Sequence, residues 1–254
     1  MDEKLKAFGR ILTIMYELRA KCPWDMKQTL ESLRPLTIEE TYELSDAIIK
    51  KDMALLKEEL GDVLLHIVFY AKIGEEQGAF DIATVINDLC EKLIRRHPHI
   101  YGDVKVHNEE DVKQNWEKIK MKEGRKSVMG GVPESLPAMI KAWRIQEKAK
   151  LVGFEWEHLD DVWKKVEEEM YEFKEVVKEA DTDKMEDEFG DLLFSLVNYS
   201  RFANIDPETA LERTNQKFLK RFRYIEEVAT MHGKQLTDMT LGEMDAIWNE
   251  AKKA

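Results

Sequence analysis

Two blocks of carboxylates have a spacing that would gather negative charge at one point in a helical protein. Glu39, Glu40 and Glu43 are followed, after fifteen intervening residues, by Glu59 and Asp62. Glu168, Glu169 and Glu172 are followed, after the same interval, by Glu188 and Asp191. On a helix, residues three or four apart share a face, so Glu40 and Glu43 point together, as do Glu59 and Asp62. If the two helices of a block pack antiparallel, four carboxylates converge. Ionised carboxylates held together repel one another, and burying one without compensation is expensive. A divalent cation resolves the conflict, and an all-oxygen donor set suits Mg²⁺ or Mn²⁺. The competing reading is a solvated acidic face, which is the ordinary fate of a single EExxE. An acidic pair at the mouth of an apolar run, present twice in register, fits a metal site better.

The elements that must position these groups are themselves duplicated. Shifted by 129 residues, 38–72 lies on 167–201 without a gap, with eleven of 35 positions identical. The identities include all the acids named above, Gly61 with Gly190, and Asp52 with Asp181. The repeat continues with a small shift, so that Lys92 aligns with Lys217 and Arg96 with Arg221. Such self-similarity predicts two related domains. Glycine, proline and serine gather in EGRKSVMGGVPESLP, so a linker is expected at 123–137, between domains at 1–122 and 138–254. Apolar residues recur at helical spacing in 36–50, and Leu60, Val63, Leu64, Ile67, Val68 and Phe69 form a broad face suited to a bundle. Short polar connections at 50–53 and 179–184 predict antiparallel helix neighbours. The expected fold is all-α: two tandem homologous helical domains, each built around a four-helix-bundle-type metal site. Gly61 and Gly190, weak helix formers beside the aspartates, suggest close approach of a neighbouring helix.

Composition narrows the partners. A net charge of −12 excludes a nucleic-acid duplex as the main partner, and a polyphosphate would need intervening cations. Two cysteines, Cys22 and Cys90, cannot build a disulfide framework and point to a reducing compartment. No stretch has the length and apolarity of a membrane span, and MDEKLKAFGR lacks a signal-peptide core, so a cytoplasmic protein is expected. His66 stands on the apolar face near Asp62, but its repeat partner is Ser195, which favours a core histidine over a ligand. The cluster His97, Pro98 and His99 lacks a third nearby zinc ligand. Di-iron bundles use Glu-x-x-His pairs, which neither block contains.

With these residues in place, the sequence resembles the MazG family of nucleoside triphosphate pyrophosphohydrolases. The likeness runs nearly end to end, through LRAKCPWDMKQTLESL (18–33), both acidic blocks, RRHPHIYGD (95–103) and VPESLPAMIKAWRIQEKAKLVGFEW (132–156). It implies Mg²⁺-dependent hydrolysis of (d)NTPs between the α and β phosphates, broad base tolerance, a role in nucleotide-pool housekeeping, and a homodimer. The family's metal ligands fall on Glu169, Glu172, Glu188 and Asp191. Its nucleotide contacts fall on Lys165, Glu168, Lys184, Lys217, Arg221 and Trp248, with Glu168 also placed to orient the attacking water. The first half keeps metal ligands at Glu40, Glu43, Glu59 and Asp62 but has Leu36 where the second has Lys165, and Leu55 where it has Lys184. The second half is therefore expected to carry most of the activity. A non-catalytic helical module that binds metal or nucleotide is the alternative.

Overall fold

The computed structural model describes residues 2–124 and 127–253. Among them no strand occurs, and eleven α-helices with three short 3₁₀ turns account for the regular structure. The chain forms two compact units, 1–109 and 110–254. That boundary falls ahead of the linker at 123–137 which composition suggested.

In the first unit, α1 (Glu3–Lys21), α2 (Leu30–Lys50), α3 (Met53–Glu76), α4 (Ile82–Arg96) and the one-turn α5 (Pro98–Tyr101) follow one another. Thr29 and Ser32 form a reciprocal capping box that starts α2. Its end is set by Lys51, left-handed at φ 56°, and Asp52 at once caps α3 by accepting from the amides of Ala54 and Leu55. This two-residue reversal forces α2 and α3 into an antiparallel hairpin. Met15, Leu33, Val68, Phe69 and Ile73 fill the core between α1, α2 and α3.

The second unit comprises α6 (Glu109–Lys122), α7 (Ala138–Lys150), α8 (Leu159–Glu179), α9 (Thr182–Phe202), α10 (Pro207–Met231) and α11 (Leu241–Ala251). The hairpin is rebuilt with the same device: Ala180 is left-handed at φ 56°, and Asp181 caps α9. The identity of Asp52 and Asp181 in the repeat thus has a local cause, since both supply the side-chain acceptor that an N-terminal amide requires. Val162, Val166, Val197, Ile225 and Ala229 are buried in this unit. Lys148, 2% exposed, reaches Glu117 of α6 at 3.4 Å and ties that helix to the second unit.

The crowding expected at the two glycines is absent. A Cβ on Gly61 or Gly190 would meet no atom within 4 Å, and both residues are exposed. Each precedes its aspartate by one residue, a rotation of about 100° around the helix, which carries it away from the packed side.

Candidate active site

The hairpin turn dictates where the acids meet. Glu43 lies eight residues before Lys51 and Glu59 eight after it; Glu40 and Asp62 lie eleven before and after. The same counts hold around Ala180 for Glu172 and Glu188, and for Glu169 and Asp191. Equal distance along two antiparallel helices brings each pair level. Oxygens of Glu40, Glu43 and Glu59 accordingly fall within 4.8 Å of one another, and so do those of Glu169, Glu172 and Glu188. Asp62 and Asp191 stand outside these trios, although Asp62 is near enough to act electrostatically on Glu40 and Glu59.

Electrostatics register the crowding. Partial burial, and then the charges of Asp62, Glu43, Glu59 and Glu39, push the Glu40 carboxyl above its ordinary value. Glu59 is raised in the same way, by desolvation first and then by Glu43, Asp62 and Glu58. In the second unit Glu172 is raised by desolvation and by Glu169 and Glu188, against the opposing charge of Lys165. A cluster of oxygens that resists ionisation, with no nitrogen or sulfur donor in either trio, fits a hard divalent cation.

The two clusters differ in what surrounds them. Lys165 places Nζ 2.7 Å from Glu168 and 2.8 Å from Glu169, and the hydrogen bonds it donates to those two carboxylates hold its ammonium pKa well above the usual lysine range. The first unit has Leu36 there. It has His66 where the second unit has Ser195, and that buried imidazole sets Nδ1 2.8 Å from Thr37 Oγ1 and Nε2 3.9 Å from Glu40. His66 is thus a bonded core residue at the edge of the acids, held below its ordinary value by desolvation.

Beside the second cluster opens a cavity of about 530 Å³, lined by Lys165, Glu169 and Asp191 and, farther round its wall, by Gln146, Phe154, Trp156, Asn198 and Arg201. None of Lys184, Lys217, Arg221 and Trp248 lines it. Lys184 pairs with Glu179 at 2.8 Å. Lys217 is exposed on α10. Arg221 lies over the Trp248 ring at 5.4 Å, and Phe218 approaches the same ring at 5.0 Å, so both α10 residues pack on the indole of α11. Arg201 was not anticipated: it is 9% exposed and gripped by both oxygens of Glu155. Its place four residues after buried Val197, on the apolar face of α9, is the signal that could have found it.

A family model described as the MazG nucleotide pyrophosphohydrolase domain matches residues 28–101 and 159–225, one stretch in each unit. The chain belongs to the MazG family. Its relatives include a Thermotoga maritima protein named nucleoside triphosphate pyrophosphohydrolase/pyrophosphatase MazG, 47% identical over 99% of this chain and 98% of its own. An Escherichia coli K12 protein named nucleoside triphosphate pyrophosphohydrolase is 40% identical over 98% of both chains. An uncharacterized Bacillus subtilis protein, YabN, is 50% identical over 99% of this chain but 53% of its own length. Both MazG matches include a hairpin with its complete acidic block, so the duplicated unit is the family's domain.

Proposed function

We propose that this MazG-family chain hydrolyses (deoxy)nucleoside triphosphates between the α and β phosphates, releasing a monophosphate and pyrophosphate, chiefly at the second acidic cluster. The observation that carries the reading is the trio Glu169, Glu172 and Glu188 beside a lysine, at the edge of a cavity of nucleoside size. The names of the full-length relatives support the same chemistry.

Glu169, Glu172 and Glu188, with Asp191 nearby, would hold Mg²⁺ or Mn²⁺. Bound there, the ion would polarise a phosphoryl oxygen and lower the pKa of a coordinated water. Lys165 bridges Glu168 and Glu169 in the free protein, and its ammonium can turn to the triphosphate to neutralise charge on the departing pyrophosphate. Once released, Glu168 can accept a proton from the water whose oxygen attacks the α phosphorus as the α–β bridging bond breaks. The first cluster keeps its carboxylates but has no cation at position 36, which suits metal binding better than triphosphate handling. Lys184, Lys217, Arg221 and Trp248 would serve the nucleotide from outside the cavity.

Two further parts of the reading concern assembly and place. Helix α4 buries no residue, yet Val85, Ile86, Leu89 and Leu93 recur on it at helical spacing and are exposed. Such a face supports a homodimer. No helix among the described residues is long and apolar enough to cross a membrane, and Cys22 and Cys90 are free thiols, in keeping with a cytoplasmic setting.

The test is product analysis. Purified protein incubated with dCTP and Mg²⁺ should yield dCMP and pyrophosphate, and chelation by EDTA should stop it. Diphosphate with orthophosphate, or no turnover of any nucleotide, would refute the reading.

A further inference from the structure

We propose that the first unit holds a divalent transition-metal ion through a nitrogen donor, His66 Nε2, together with Glu40, and that the second unit, whose cluster offers only oxygen, does not. The inference goes beyond the reaction assigned to the second cluster and does not depend on it. Ser195 at the repeat position excludes a histidine ligand common to both units, but not one peculiar to the first.

The protons of one small network decide what His66 offers. Thr37 Oγ1 touches the Leu33 carbonyl at 3.0 Å, His66 Nδ1 at 2.8 Å and the Tyr70 hydroxyl at 2.6 Å. A hydroxyl has one hydrogen to give and two lone pairs to receive with. The carbonyl can only accept. All three bonds therefore form at once only if Thr37 donates to Leu33 and receives from His66 Nδ1–H and Tyr70 O–H. That fixes the tautomer, and in the neutral ring Nε2 is left as a bare lone pair, the form that binds a metal. The imidazole is 7% exposed, and its Nε2 makes no hydrogen bond but faces Glu40 Oε1 at 3.9 Å. Two acceptors turned toward each other beside a cluster of acids call for a positive charge between them.

The gap suits an ion. Donors about 2.1 Å from one octahedral centre lie about 3.0 Å apart when adjacent and about 4.2 Å when opposite, and the observed 3.9 Å falls between. Asp62, one turn before His66 on α3, acts electrostatically on both Glu40 and the imidazole, so a third donor stands at hand. His66 lies outside the trio of Glu40, Glu43 and Glu59, which makes Glu40 the carboxylate common to trio and imidazole. A mixed nitrogen and oxygen set favours Mn²⁺, Co²⁺ or Zn²⁺ over Mg²⁺. The second unit differs at each position. Ser195 gives its hydroxyl to the Leu192 carbonyl at 2.8 Å, and the Lys165 ammonium, 2.8 Å from Glu169, already stands where a cation would.

The experiment loads the full chain with Mn²⁺ and looks for a coordinated nitrogen by electron spin echo modulation. The ion of the first unit should show the modulation of an imidazole nitrogen, and His66→Gln should abolish it. In calorimetric titration the same variant should bind Co²⁺ at the first site about tenfold or more weakly, with Mg²⁺ affinity changed by less than about twofold. Absence of nitrogen modulation from the unaltered protein, its survival in His66→Gln, or unchanged Co²⁺ affinity in that variant would overturn the inference. None of these results bears on the reaction proposed for the second cluster. If His66→Gln does not fold, His66→Ser, which installs the residue that the second unit carries there, takes its place with the same expected losses.

Discussion

Replacing Lys165 with methionine should pull metal binding and turnover in opposite directions. In the free protein the ammonium lies 2.8 Å from Glu169, so it competes for an oxygen that a metal would need. A cation about 2.1 Å from that oxygen would sit roughly 4–5 Å from the lysine nitrogen. Across such a gap a dication and an ammonium repel by about 2 kcal/mol in a water-like dielectric. Salt screening at this half-exposed side chain lowers the figure to about 1 kcal/mol, or about fivefold in affinity. Calorimetric titration with Mn²⁺, without nucleotide, should therefore show the second site tightening about fivefold in Lys165→Met. The first site already has Leu36 and serves as the internal reference. The same variant should lose about tenfold or more in kcat/KM for dCTP, because a charge-assisted phosphate contact is gone. Unchanged or weaker Mn²⁺ binding together with normal turnover would refute the placement of Lys165 between the acids and the phosphates.

Three other outcomes follow from the same geometry. Glu172→Gln should lower turnover about a hundredfold or more while leaving helical circular dichroism intact, since the side chain is exposed; activity near the unaltered rate would remove Glu172 from the site. Glu40, Glu59 and Glu172 have raised carboxyl pKa values, so the metal-free protein gains stability from them as pH falls from neutral toward the ordinary 4.5, and loses it as pH rises through the raised values. The rise in Tm produced by Mg²⁺ should accordingly be larger at neutral pH than near 5; His66 opposes the trend in the metal-free protein over that window, and because its Nε2 lies 3.9 Å from Glu40, a bound cation would disfavour its protonation further and add to the same difference. An Mg²⁺ effect independent of pH would contradict this, and below 4.5 groups held low, such as Glu243 at about 2, work in the opposite sense. Gly61→Ala and Gly190→Ala should each stabilise the fold by about 0.5–1 kcal/mol in urea unfolding, and destabilisation would mean that something outside the single chain covers those positions.

What could be read from the sequence was whatever depends on neighbours along the chain. Helical periodicity, the hairpin joints at 50–53 and 179–184, and the level pairing of acids all follow from spacing on two helices and a short turn. So does the bridge from Lys165 to Glu168 and Glu169, three and four residues on. Features that depend on a third element were out of reach. Arg201 of α9 meets Glu155, which precedes α8, and Gln146 of α7 meets the Phe194 carbonyl of α9. Spacing can place Arg201 on the buried face of α9, four residues after Val197, but it cannot show which group on another element that face meets, nor that Gln146 turns inward. Gly61 and Gly190 misled for a related reason: recurrence in a repeat reveals a shared constraint but not its direction, and here the packed side of the helix lies elsewhere. The unit boundary was hidden because linker composition marks exposed chain, whereas α6 is drawn into the second unit by a buried lysine.

Each acidic trio is supplied by fewer than two dozen consecutive residues closed by a single tight turn. Such contacts are local, and local contacts form early in folding because little chain must be ordered to make them. The carboxylates of Glu40, Glu43 and Glu59 can meet before α4 exists as a helix, and those of Glu169, Glu172 and Glu188 before α10 does. A nascent chain would thus bring its like charges together ahead of most of the surface that buries them. Divalent ions in the surrounding solution would then act first as folding partners, easing hairpin closure, and only later as participants in chemistry.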